Sequence, residues 1–327
     1  MPPQRPRKSG AGKALLVVGI LGVLLVGGAL IAVKLAHSGG PAVAEPAATT
    51  SATETVPTAT SATKPGPFPT TSYATPSTTS YTPPPRPLSE TNPAKYNATS
   101  RLYKTGVMRS VNCKLAKSSP GAGGSTALAY YKVVKACLDR AWPRAVAASG
   151  GRFRSPGMVI YAGTTSSPCG IDTNRSFYCG GNHVIYMNAT YDIDFRSNPA
   201  LARMNGAFTV AHEYAHSVQW MTGIGGAYTN LYYKSNSKAL TYQLSRRLEL
   251  QASCLGNVFL GANRNSLPIS GYAYQMWLYD VNNSGDRPPY PPDHGTPKNH
   301  GMWSRAAFAS RNPASCNTWS AGPAKVS

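Results

Sequence analysis

Residues 14–33 read ALLVVGILGVLLVGGALIAV and carry no charge; Arg5, Arg7, Lys8 and Lys13 precede them and Lys34 follows. Twenty apolar residues at helical rise span about 30 Å, the thickness of a bilayer core. The positive cluster on the N-terminal side predicts a cytoplasmic tail over 1–13, a transmembrane helix over 14–36 and an extracytoplasmic remainder. The other reading is a cleaved signal peptide ending near Ala42-Val43-Ala44. Signal peptides usually carry an apolar stretch of only about 7–15 residues, which favours the anchor. Both readings export the rest of the chain, as a single-pass membrane protein or a secreted one.

The pattern changes at residue 37. Residues 37–94 are rich in Pro, Thr, Ser and Ala and poor in large apolar side chains. Such a segment buries no core and is expected to form a disordered stalk. Large apolar residues return from 95 and persist to the end, which predicts one domain over 95–327.

Within that domain, Leu128, Tyr131, Val134, Leu138 and Trp142 recur at helical spacing and predict a helix over 126–149, interrupted at Pro143. Met158–Tyr161 and His183–Met187 are short apolar runs rich in strand formers. Asn198-Pro199 opens a helix reaching about Thr222, where Gly223 and the Gly225-Gly226 pair are expected to stop it. A further helix is expected over about 237–261, capped by Ser235 or Ser237, and a last one near 298–311.

Composition sharpens the picture. All six cysteines lie beyond the anchor, and an even count in an exported chain reads as disulfides. The formal charge is +20 for the chain and +16 from residue 95 onward, a field that attracts anionic envelope polymers or acidic substrates. No basic–aromatic array of a nucleic-acid module is present, so nucleic acid is not an expected partner.

The candidate chemistry is His212-Glu213-Tyr214-Ala215-His216, an H-E-x-x-H segment inside a helical pattern. Four residues make about one turn, so both imidazoles project from one face and can share a zinc ion. Glu213 stands beside them as the general base of a metallopeptidase. Zinc needs a third protein ligand. Beyond Glu90 the chain has only two glutamates, Glu213 and Glu249. Glu249 is therefore the candidate, against a plain salt bridge to Arg246 or Lys238.

Two segments carry a family likeness: Ala211 to Gln219, and Glu249-Leu250-Gln251-Ala252-Ser253-Cys254. The chain resembles the bacterial neutral zinc metallopeptidase family, which pairs A-H-E-x-x-H-x-V-Q with a later E-L-Q-A-x-C. Weaker matches are Ser167 to Gly170, Phe177 to Cys179, Val184 to Tyr186, Gly285 to Arg287, His294 to Thr296 and Pro313 to Trp319. The resemblance implies an α+β, zincin-like domain with a small, mostly antiparallel sheet on the H-E-x-x-H helix. It implies Zn²⁺ on His212, His216 and Glu249, with Glu213 as base and a peptide or protein as substrate. It also points to His294, which would hydrogen-bond an oxyanion or bind substrate. His183 and His300 are read as structural.

The strand around His183–Met187 is expected at the sheet edge, open to an extended peptide. One departure stands out: the family commonly has Asp where this chain has Ser253. A carboxylate there would orient a ligand histidine, and its loss typically costs about 10–100-fold in affinity or activity. Asp192, Asp194 or another group would have to substitute. Otherwise the chain is a weakened enzyme, or a binding module of the envelope. An amide hydrolase acting on wall peptides is a further reading. The expected disulfides are Cys113–Cys137, Cys169–Cys179 and Cys254–Cys316, among fifteen formal pairings.

Overall fold

The computed structural model describes residues 91–114, 124–172, 175–189 and 197–327. The expected anchor and nearly all of the stalk lie outside these residues, as do Asp192 and Asp194. Among the described residues, no helix is long and apolar enough to cross a membrane.

The longest helices carry the motifs. α4 spans Pro199–Met221 and α6 spans Lys238–Ala262. The Asn198 side chain accepts from the Leu201 N–H, and Pro199 occupies the first turn, where its missing N–H costs nothing. Ser237 caps α6 by accepting from Leu240 N–H. Gly223, at φ +81°, ends α4 in the left-handed region, where a side chain would also strike the Tyr96 hydroxyl.

Helix α5, Ile224–Lys234, follows at once. The Gly225-Gly226 pair therefore lies inside a helix instead of breaking the chain. Gly225 sits against the Trp220 ring, so packing overrides its weak helix propensity. α7, Gly271–Asn283, is a helix that the sequence reading passed over. Its signal was present: Tyr274, Trp277 and Val281 share one face, with Trp277 stacked on Phe308 at 4.1 Å. α8 is Pro297–Ser310, and packs with α4 on α6. The expected N-terminal helix divides at Trp142 into α2, Gly124–Ala141, and α3, Pro143–Ala148. A short α1 begins the described part at Pro93–Ala98.

The sheet is small: β1 Gly157–Tyr161, β4 Phe177–Cys179 and β5 Val184–Asn188, in the order β1-β5-β4. A separate hairpin joins β2 Thr165–Ser167 to β3 Gly170–Asp172. β5 pairs parallel with β1 and antiparallel with β4, so the three-stranded sheet is mixed. The placement of the His183–Met187 strand at an edge is corrected: β5 is central. Every residue of β5 is buried, and an unbroken apolar run is what a strand covered on both faces requires. β4 is the edge strand that packs on α4.

Three disulfides join Cys113–Cys137, Cys169–Cys179 and Cys254–Cys316, the expected pairs. Each closes a loop and contributes about 2–4 kcal/mol. They suggest an extracytoplasmic domain, because such bonds persist in oxidising compartments. The last one ties α6 to the C-terminal segment.

The closest approach of α4 and α6 is made possible by Gly256. A Cβ there would lie 3.0 Å from the Ala211 carbonyl carbon and 3.1 Å from the His212 nitrogen. Gly256→Ala should therefore cost about 1–3 kcal/mol, the usual range for overpacking. Urea unfolding of the full chain measures this, and unchanged stability would show that the two helices separate freely.

Candidate metal centre

The helical repeat places His212 and His216 one above the other on α4, with ring centroids 4.8 Å apart. Their Nε2 atoms are 3.2 Å apart. Glu249, projecting from α6, places Oε2 3.3 Å from Nε2 of His212 and 3.2 Å from Nε2 of His216. Three donor atoms thus form a nearly equilateral triangle. Tetrahedral zinc with bonds of about 2.0–2.1 Å sets its ligands about 3.3–3.4 Å apart. The donor set and its spacing fit zinc. The Glu213 carboxylate belongs to the same cluster, its ligand atom within 4.8 Å of those of both histidines.

Polar partners behind the rings hold them in place. Nδ1 of His216 lies 2.8 Å from Gln219 Oε1. The Gln219 amide nitrogen donates to the Leu248 carbonyl and to Gln251 Oε1. Because that nitrogen is committed to a carbonyl, Oε1 must face His216 and accept its Nδ1 proton. Gln251 continues the chain by donating to the Tyr103 hydroxyl and the Cys316 carbonyl. On the other ring, Nδ1 of His212 lies 3.0 Å from Ser253 Oγ, which is also 2.9 Å from Nε2 of His300.

His294 arrives from the loop before α8. Its Nε2 is 3.7 Å from Glu249 Oε2, and its Nδ1 is 2.6 Å from Asp293 Oδ1. Its backbone N–H donates to Asp286. The side chain is 44% exposed, so it stands on the open side of the cluster.

Electrostatics separate the two glutamates. Burial raises the Glu213 carboxyl, and the neighbouring Glu249 charge adds to the rise. Burial alone would also raise Glu249, but the neighbouring His216 and His294 outweigh it and hold it well below the usual range. Burial would lower His294, yet Glu249 and Asp293 raise it to about 9.

A cavity of about 30 Å³ opens over the cluster, walled also by Arg175, Ser176 and Phe177. A neighbouring one of about 190 Å³ shares Arg175, Ser176 and Glu213 and is lined further by Tyr131, Asn188 and Thr209. A larger one, about 560 Å³, lies by Trp303 and Lys325 and holds no His or carboxylate, so size does not mark the chemistry.

The sequence-derived candidates His212, Glu213, His216, Glu249 and His294 all line the same cavity. Arg175 and Ser176 were missed, having no motif of their own. His183 is structural as expected: Nε2 donates to the Arg154 carbonyl and Nδ1 accepts from the Tyr178 hydroxyl. His300 also lies outside the cluster, but it reaches the cluster through Ser253.

Comparison with known proteins agrees with this geometry. A family model described as putative neutral zinc metallopeptidase matches residues 99–268. The chain belongs to that family. Both motifs of the neutral zinc metallopeptidase family fall within the match, whereas His294 and His300 fall beyond it. The uncharacterized protein YpfJ of Escherichia coli strain K12 is 27% identical over 207 residues, which is 58% of this chain and 70% of that protein. YpfJ of E. coli O6:H1 strain CFT073 matches to the same extent. No solved structure matches.

Burial lowers His183 and His300 to about 4 from an ordinary value near 6.5. The unfolded chain then binds more protons than the folded one between those values. Stability from these rings is complete above about pH 6.5 and is lost as pH falls through 4, up to about 3 kcal/mol for each. Urea midpoints of metal-free protein should fall across that window, less steeply for His300→Phe. Equal slopes would show that His300 titrates normally.

Proposed function

We propose that the protein is a zinc-dependent peptidase that cleaves peptide bonds outside the cytoplasmic membrane. The observation that carries this reading is the triangle of His212, His216 and Glu249 donor atoms, all within 3.3 Å of one another. These residues would hold the metal. Zinc supplies Lewis-acid polarisation of a carbonyl and acidifies the water it binds.

Glu213 takes the proton of the attacking water and returns it to the leaving amine. Its carboxylate lies in the same cluster as the two histidines, within reach of a water held there. His294 stands on the open side and donates to the carbonyl oxygen as negative charge develops there. The substrate passes over the cavity walled by Arg175, Ser176 and Phe177, the residues that lead into β4. Its side chain next to the scissile bond enters the 190 Å³ cavity beside Glu213.

The apolar segment 14–33 anchors the chain, and the Pro/Thr/Ser-rich stalk over 37–94 holds the domain over 95–327 away from the membrane. The basic domain favours acidic surfaces there. The rival reading, a non-catalytic binding module, rests on Ser253 and on the basic domain; the hydrogen bond between Ser253 and the His212 ring supports the peptidase reading.

Zinc content and cleavage of a quenched peptide library, measured together on the full chain, test the proposal. Glu213→Gln should keep its zinc and lose about 10²–10⁴-fold in cleavage. Glu249→Ala should lose both. A wild-type chain without stoichiometric zinc, or a Glu213→Gln variant that cleaves normally, would sink the proposal.

A further inference from the structure

The ring of His212 turns Nε2 toward Glu249 and Nδ1 toward α6. Behind it runs a line of three contacts. Nδ1 of His212 is 3.0 Å from Ser253 Oγ, Oγ is 2.9 Å from Nε2 of His300, and Nδ1 of His300 is 2.8 Å from the Val281 carbonyl oxygen.

The proton positions follow from the far end. A carbonyl only accepts, so Nδ1 of His300 carries a proton. In the neutral ring Nε2 is then an acceptor, and the Ser253 hydroxyl donates to it. With its one proton committed, Ser253 can only accept from His212. His212 therefore carries its proton on Nδ1 and keeps a bare lone pair on Nε2, the atom facing the other two donors. A charged His300 would reverse every step. Its Nε2–H would donate to Ser253, Ser253 would donate to His212, and the His212 proton would sit on the wrong nitrogen.

We propose that Ser253 and His300 form an uncharged relay that fixes the tautomer and orientation of His212 as a metal ligand. Both are positioning residues, and neither touches the reacting atoms. The proposal rests on the reading of His212 as a zinc ligand. It answers the departure at Ser253: a serine and a distant histidine together do what a carboxylate would do alone.

Burial supports the uncharged form. Ser253 is 2% exposed and His300 is 3% exposed. The Phe208 ring stands edge-on to His300 at 5.6 Å. Burial lowers the His300 ring to about 4, which keeps it neutral at physiological pH. The relay adds no further buried charge beside Glu213 and Glu249, and so avoids the desolvation cost of another ion.

Two measurements on the full chain test the relay. The chain has six histidines, few enough for ¹⁵N-histidine NMR of the metal-free protein to resolve their tautomers. His212 should be the Nδ1–H form in the wild type and should shift toward the Nε2–H form in Ser253→Ala and in His300→Phe. Zinc affinity, by competition with a chelator, should fall about 10–100-fold in His300→Phe, as when a ligand histidine loses its orienting partner. Adding Ser253→Asp to that variant should restore most of the loss, because a carboxylate accepts from His212 directly. If His300 only packs, Ser253→Asp restores nothing and the proposal is overturned. A His212 tautomer unchanged by Ser253→Ala overturns it too, and this arm needs neither zinc nor His300→Phe to fold. A wild-type chain that binds no zinc would refute the proposed function, while the tautomer arm would still decide the relay.

Discussion

A buried carboxylate sets the terms for this structure. Glu249 is 4% exposed and ionised. A charge so placed costs several kcal/mol unless it is compensated. The compensation comes from His216 on α4, whose Nε2 lies 3.2 Å away, and from His294 on the loop before α8. The partners sit on different elements, so α4 and α6 have to lie side by side at close range. Gly256 makes that approach sterically possible, and the Cys254–Cys316 bond holds α6 from its far side.

The polar groups around this centre form one satisfied network. Gln219 and Gln251 serve His216, while Ser253 and His300 serve His212. The His212 and His216 rings are each held through Nδ1, and each Nε2 faces the shared point. A half-satisfied network in a dry interior is worse than an apolar core. The amide side chains of the two glutamines are as much part of the centre as the ligands, since rotating either one leaves a buried carbonyl or amide unpaired. The rest of the domain is strongly basic, and its only two glutamates stand at this centre.

Much of the candidate site was legible along the chain because its signals are local. A four-residue spacing on a helix places two side chains on one face in any fold. The scarcity of glutamate singled out Glu249 before any contact was known. Helix limits were legible where chain chemistry is strict, as at Asn198-Pro199 and Ser237. They were misread where packing outweighed propensity, as at Gly225-Gly226 against Trp220. The strand after His183 was recognised from its apolar run, but its neighbours were not. Pairing partners are a non-local property, and β5 proved central.

The sequence by itself determined the H-E-x-x-H helix, the Glu249 carboxylate and the cysteine supply, since each depends on residue type and short spacing. Tertiary structure decided which groups meet. It brought His300 to Ser253 across 47 positions, set Arg175 and Ser176 in the wall of the cavity, and gave the sheet edge to β4. Those contacts depend on how closely separate elements approach, which periodicity does not encode. For the same reason the serine at position 253 read as a loss in the sequence, and the fold shows a hydroxyl that joins two histidines.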